Sequence, residues 1–215
     1  MLPASILDSP TSESLTVPSR LSEEEFVVWA TSDIRAEWVD GEVIVMSPAL
    51  FRHGELNLWL AHLLDIYVRH HKLGKVVGQE FMVRLQWGRV SRRVPDLLFI
   101  SQARLAQIQT NHLEGPPDLA VEIVSPESAA RDWRVKFHEY EAAGVGEYWI
   151  IDPLNHILEA SVRNAAGNFE KIPVAEDGIL RSAVVSGFWI KPEWLWQEEL
   201  PNPLVCLREL GVTAG

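Results

Sequence analysis

Asp96, Glu122 and Lys136 are the residues of this chain whose setting most needs a chemical explanation. Residues 94–100, V-P-D-L-L-F-I, are apolar but for Pro95 and Asp96. Residues 118–124, D-L-A-V-E-I-V, are apolar but for Asp118 and Glu122. Short, almost continuous apolar runs closed by turn residues predict strands covered on both faces. A carboxylate inside such a strand costs folding free energy unless it is paired, hydrogen-bonded or bound to a cation. Two of them on successive strands point to one shared cause. Hard divalent cations fit: magnesium takes one or two protein carboxylates and completes its shell with water and phosphate oxygens. Lys136 sits in a stretch, 127–143, with the pattern of a helix stopped by Gly144. Asp132, Lys136 and Tyr140 fall at i, i+4 and i+8 and share one face, with Val135, Tyr140, Ala142 and Ala143 as packing surface. An ammonium held over the sheet in this way would reach a metal-bound water or a scissile phosphate.

The rest of the chain must position these three. Residues 1–20 are rich in Ser, Thr and Pro without periodicity and read as a mobile tail. Ser22 and Glu25 form a capping-box pattern for a helix carrying Phe26, Val27 and Trp29 and ending near Ser32. Residues 36–46 read as a hairpin about Asp40-Gly41, with Glu37 and Glu42 on it. After Ser47-Pro48, a long amphipathic helix spans 51–71, with Leu56, Leu60, Leu63, Leu64 and Tyr67 at helical spacing. His53 lies near its start and Gly74 would end it. Short strands are expected at 76–77 and 81–86, a turn at 88–91, a short helix at 101–109 and a loop at 111–117. Strand 147–152, a hairpin over 156–162 and 168–172, a strand at 180–185 and an aromatic helix from Pro192 follow. Residues 201–215 are weakly patterned and read as a second tail, leaving 21–200 as a single domain.

Taken together, P-D, E-I-V-S-P, D-x3-K-x3-Y and G-V-x-E-Y-W-x-x-D-P, preceded by E-W-V-D-G-E-V-I-V-M-S-P and His53, resemble the Uma-two family of endonuclease-like proteins over about 21–194. That family belongs to the restriction-endonuclease-like PD-(D/E)XK superfamily. The resemblance implies an α/β fold of α+β type: a mixed sheet flanked by helices, with an N-terminal helix and hairpin. It also implies a Mg2+-dependent site, with Mn2+ as a substitute, in which Asp96 and Glu122 hold the metal. In the wider superfamily the lysine stands two residues after the second acid. Val124 occupies that position here, and the family pattern implies that Lys136 replaces it from the following helix. By the same resemblance Glu37 is an acid near the metal and His53 an accessory residue positioning substrate.

The composition bounds the partners. Lone Cys206 excludes an internal disulfide and a cysteine-based zinc site. No apolar run approaches a membrane span, and the N-terminus lacks a basic segment followed by an apolar one, so a cytoplasmic protein is expected. A net charge of -11 opposes nucleic-acid binding. Locally, however, Arg84, Arg89, Arg92 and Arg93 lie in an acid-free stretch, and Arg131 and Arg134 flank Lys136. Arg93 and Arg131 are the candidates for substrate phosphate. Two readings follow. One is a metal-dependent endonuclease acting on DNA. The other is a non-catalytic interaction protein on the same fold, for which the acidic charge speaks, as do the tryptophans near the C-terminus as a homodimer interface.

Overall fold

The computed structural model describes residues 17–30, 34–126 and 128–212. The expected N-terminal tail lies outside them except for 17–20, and there the chain is already paired: Arg20 bridges to Glu42, and Leu21 N–H donates to Gly41 O at 2.9 Å. Helix α1 (Glu23–Trp29) starts as its capping box predicts, with Ser22 and Glu25 each accepting from the other's backbone N–H. Strands β1 (Ala36–Val39) and β2 (Glu42–Val45) form the expected hairpin. Asp40 and Gly41 both take positive φ, 48° and 97°, the geometry that makes Asp-Gly a preferred two-residue turn. Helix α2 (Phe51–His70) follows.

The chain then builds two sheets. β4 (Met82–Gln86), β5 (Val90–Arg93) and β7 (His112–Glu114) join the hairpin in the order β2-β1-β5-β4-β7. Two sequence expectations are corrected here. The turn expected over 88–91 is limited to its first half, because Val90–Arg93 pairs with both β1 and β4. The loop expected over 111–117 contains β7, which runs parallel to β4. The second sheet comprises β3 (Gly74–Gly78), β6 (Leu97–Ser101), β8 (Leu119–Ile123), β9 (Glu147–Asp152), β10 (Ile157–Arg163) and β11 (Phe169–Ile172). Its order is β11-β10-β9-β8-β6-β3. Only β8 and β9 are parallel in it, and the lysine-bearing helix makes their crossover.

Period-2 alternation sorts the central strands between two cores. Leu97, Phe99, Leu119, Val121, Ile123, Trp149 and Ile151 face α2. Leu98, Ile100, Ala120, Val124, Tyr148 and Ile150 face the other way, against Val83, Leu85 and Tyr140. Strands buried on both sides account for the nearly continuous apolar runs.

The lysine-bearing helix is a π turn (Arg131–Lys136) running into α3 (Phe137–Ala143), closed at Gly144 with φ 90°. Val135, expected on its packing face, is exposed, while its neighbours Asp132 and Lys136 turn inward. At the C-terminus, β12 (Leu180–Arg181), β13 (Trp189–Ile190) and α4 (Pro192–Trp196) precede α5 (Pro203–Glu209). The tail expected from 201 therefore holds a helix, whose Cys206 and Leu207 are buried in the α2 core. The C-terminal tryptophans turn inward as well: Trp194 is buried against Trp59, and Trp189 and Trp196 pack on the same core.

Gly74 does not cap α2 as expected. Lys72 takes the left-handed turn, φ 57°, and Gly74 opens β3. A Cβ there would stand 2.0 Å from Ile100 O. Gly74→Ala is therefore expected to destabilise the protein by about 3 kcal/mol, read as a lower midpoint in urea. An unchanged midpoint would show that β3 and β6 can separate at no cost.

Candidate active site

Strand register brings the two acids together. Leu97 pairs with Val121 and Leu98 with Ala120, so one step further along the ladder sets Asp96 opposite Glu122. Cβ atoms so opposed on antiparallel strands lie about 5 Å apart. Alternation places both on the side of Leu98 and Ala120, facing the π turn. Asp96 Oδ2 accepts Ile123 N–H at 2.8 Å. Its Oδ1 lies 3.1 Å from His53 Nε2 and 3.5 Å from Gln79 Nε2. Glu122 Oε1 accepts from Lys136 Nζ and from the Tyr140 hydroxyl, each at 2.8 Å. Lys136 Nζ also stands 3.1 Å from Glu37 Oε1 and 3.4 Å from Asp132 Oδ1.

A second layer lies behind the lysine. Glu37 accepts from Arg93 Nη1 at 2.8 Å and from Val94 N–H at 3.1 Å. Arg93 reaches on to Glu139, Nη2 to Oε2 at 2.5 Å, and the Ser91 hydroxyl donates to the same carboxylate. The chain of charges thus runs from β8 through the π turn and β1 to β5 and α3.

The site is acid-heavy. Glu37, Asp96, Glu122, Asp132 and Glu139 are buried, against two buried cations, Arg93 and Lys136. The carboxylates around Lys136 consequently split. Burial alone would raise Glu37, but the Lys136 and Arg93 charges outweigh it and hold it at about 2. For Glu122 burial wins over Lys136; aided by the charges of Asp132, Asp96 and Glu37, it pushes the group up to about 8. Burial acts to lower Lys136, yet Glu122, Glu37 and Asp132 together carry it above its ordinary value, so it is a charged donor and not a base. Burial raises the Tyr140 phenol well above its usual value, which keeps it a donor too.

A native state that holds the Glu122 proton more tightly than the unfolded chain loses stability as pH climbs from the ordinary 4.5 to about 8. Glu122→Gln cannot ionise. In chelator it is expected to melt with the wild type near pH 5 and several degrees above it near pH 9, at about 2–4 °C per kcal/mol. The same offset at both pH values would mean that Glu122 is ionised throughout.

These groups floor a cleft of about 410 Å³ that Asp96, Glu122, Asp132, Lys136, His53 and Arg131 all line. The structure thus gathers five of the seven residues singled out in the sequence. Glu37 and Arg93 do not reach the cleft. Glu37 sits behind Lys136 as its counter-charge. Arg93 is fully buried between Glu37 and Glu139, so its expected contact with substrate is corrected to a structural ion pair. Asp132, Tyr140 and Gln79 join the site without having been assigned a role in it. The first two were legible as helix neighbours of Lys136, whereas nothing local marked Gln79.

Among the described residues no three His, Cys, Asp or Glu side chains form a ready-made metal cage. The donor set nevertheless fits a hard cation: two opposed carboxylates, the adjoining Ile123 backbone and a surplus of buried negative charge. A cation beside Glu122 would offset the burial that raises its pKa.

The family's sequence profile, described as "Putative restriction endonuclease", matches residues 23–193. The chain belongs to the Uma2 family. The fold of this Uma2 protein is similar to the crystal structure of a protein titled a "putative nuclease" from Anabaena variabilis. The TM-score is 0.67 at 16% identity, covering 80% of this chain and 96% of that one. No curated protein matches the sequence. Within the described residues, no helix is long and apolar enough to cross a membrane.

Proposed function

We propose that this Uma2 protein is a metal-dependent endonuclease that hydrolyses phosphodiester bonds in DNA. The observation that carries the reading is the opposition of Asp96 and Glu122 across one strand pair, with Lys136 in contact with Glu122, at the floor of a cleft. Asp96, fixed by the Ile123 N–H and by His53, and Glu122 would hold Mg2+ or Mn2+, with the Ile123 carbonyl as a further oxygen donor. The cation, when bound, lowers the pKa of a coordinated water and offsets charge on the phosphate. With Glu122 committed to a cation, Lys136 would be released from it and would donate to the attacking water or to the charge that develops on phosphorus. Glu37 holds the ammonium in place from behind, and Arg131 on the cleft wall meets the substrate phosphate.

Titration calorimetry with Mn2+ is expected to show binding in the wild type and none in Asp96→Ala or Glu122→Ala, with nicking of supercoiled plasmid lost in the same variants. The net charge of -11 favours the second reading, a non-catalytic interaction protein. Of the C-terminal tryptophans, Trp194 is buried and gives it no support, whereas Trp189 and Trp196 are half-buried. A wild type that neither binds Mn2+ nor nicks plasmid would leave the interaction reading standing.

A further inference from the structure

The walls of the cleft differ from its floor. Two guanidiniums line it, Arg35 from the segment before β1 and Arg131 from the π turn. Neither forms an ion pair with a described residue. Arg35 Nε and Nη2 and Arg131 Nε are buried nitrogens without a hydrogen-bond partner. Such orphaned donors cost free energy until an acceptor arrives, and for a guanidinium beside a proposed metal site the matching acceptor is a phosphate. The facing lip is apolar and open. Val45 is 45% exposed, Leu50 57% and Phe51 85%. Val45 and Leu50 line the cleft itself. Phe51 stands on the first turn of α2, between Leu50 and the site histidine His53, and borders a neighbouring hollow of about 310 Å³. His156 and Trp196 also line that hollow, their rings stacked with centroids 5.4 Å apart. Its cation, Arg52, is committed to Glu55 and to the carbonyls of Leu195 and Gln197. The hollow therefore offers ring faces but no free cation for a phosphate, and the carboxylates of Glu55 and Glu198 line it as well, so it suits a base and not the backbone.

This arrangement suits one form of nucleic acid. A duplex presents two phosphate strands and hides its base faces, so it is held by broad basic surfaces. This chain carries a net charge of -11 and two unpaired arginines in its cleft. An unpaired strand presents phosphate and ring face together, and aromatic or apolar platforms bind it by stacking. Building on the nuclease reading above, we propose that the cleft is made for an unpaired strand, with Arg35 and Arg131 gripping its phosphates and the Leu50–Phe51 lip receiving its bases.

The test compares one labelled oligonucleotide as a single strand and as a blunt duplex, with the full chain in Mn2+. The expected result is at least about tenfold higher kcat/KM on the single strand. Phe51→Ala should raise the single-strand KM by roughly tenfold while leaving Mn2+ binding intact; Phe51 is exposed, so the core is untouched. Arg35→Met with Arg131→Met should weaken single-strand binding. It should also flatten its dependence on log salt by about 1.4, the slope expected for two neutralised phosphates on a single strand. Equal or faster cleavage of the duplex, or an unchanged KM in Phe51→Ala, overturns the inference while leaving a nuclease. If neither form is cleaved, fluorescence anisotropy with Ca2+ decides. Preferential binding of the single strand sustains the inference without the nuclease reading, and binding of neither form, or of the duplex alone, removes the inference.

Discussion

Replacing Arg93 by methionine is expected to destabilise the protein by about 3–5 kcal/mol, lowering Tm by on the order of 10 °C. Methionine fills much of the same volume, so the loss is chiefly electrostatic. Arg93 is the cation shared by Glu37 and Glu139, all three buried. Without it Glu139 is left with the Ser91 hydroxyl as its described partner, and Glu37 with Lys136 and one backbone N–H. Glu37, held at about 2 in part by Arg93, loses that support. Its share of the deficit should shrink as pH falls from the ordinary 4.5 toward 2. Thermal melts at neutral pH and near pH 3 test this. A variant within about 2 °C of the wild type at neutral pH would show that the triad contributes no net stability. Had Arg93 been a substrate contact, the same substitution would have spared Tm.

The second large effect belongs to Lys136→Met. Loss of one preorganised donor at developing charge typically costs 10²- to 10³-fold in rate, and nicking of supercoiled plasmid should fall by about that factor. Metal affinity should move the other way. Glu122, Glu37 and Asp132 all lie within 3.4 Å of the ammonium. Removing it takes the shared cation from all three and leaves only Glu37 with another, Arg93, so Mn2+ should bind at least as tightly as in the wild type. This opposition separates a catalytic lysine from a structural one. If Lys136 served only as a counter-ion, a bound metal would replace it, and cleavage at saturating Mn2+ would be restored. Nicking that stays at wild-type rate removes Lys136 from the mechanism.

The contrast between these two cations shows what the sequence could and could not reveal. Asp96 and Glu122 were legible because a carboxylate in an apolar strand is costly, and the alternation that sets them on one face is a local property. Lys136 was legible through its spacing from Asp132 and Tyr140. The hairpin, α2 and β9 followed from turn chemistry and periodicity. Arg93 was misread because R-V-S-R-R looks like a basic loop when its partners are unknown: Glu37 and Glu139 lie 56 and 46 residues away. The same limit hid β7, whose partner β4 ends 26 residues earlier, and part of β5, whose second neighbour is the distant β1. It hid α5 as well, which has little pattern of its own and is held by the surface α2 presents.

The π turn takes up one residue more than an α-helix would need. Deleting a single residue between Arg131 and Lys136 would return the segment to ordinary helical winding. Lys136, Tyr140, Gly144 and the crossover to β9 would keep their phase, while Arg131 and Asp132 would lose their spacing from Lys136 and with it their places on the cleft wall. In comparing homologues, the length of this segment is thus as diagnostic of a working site as the identity of its lysine.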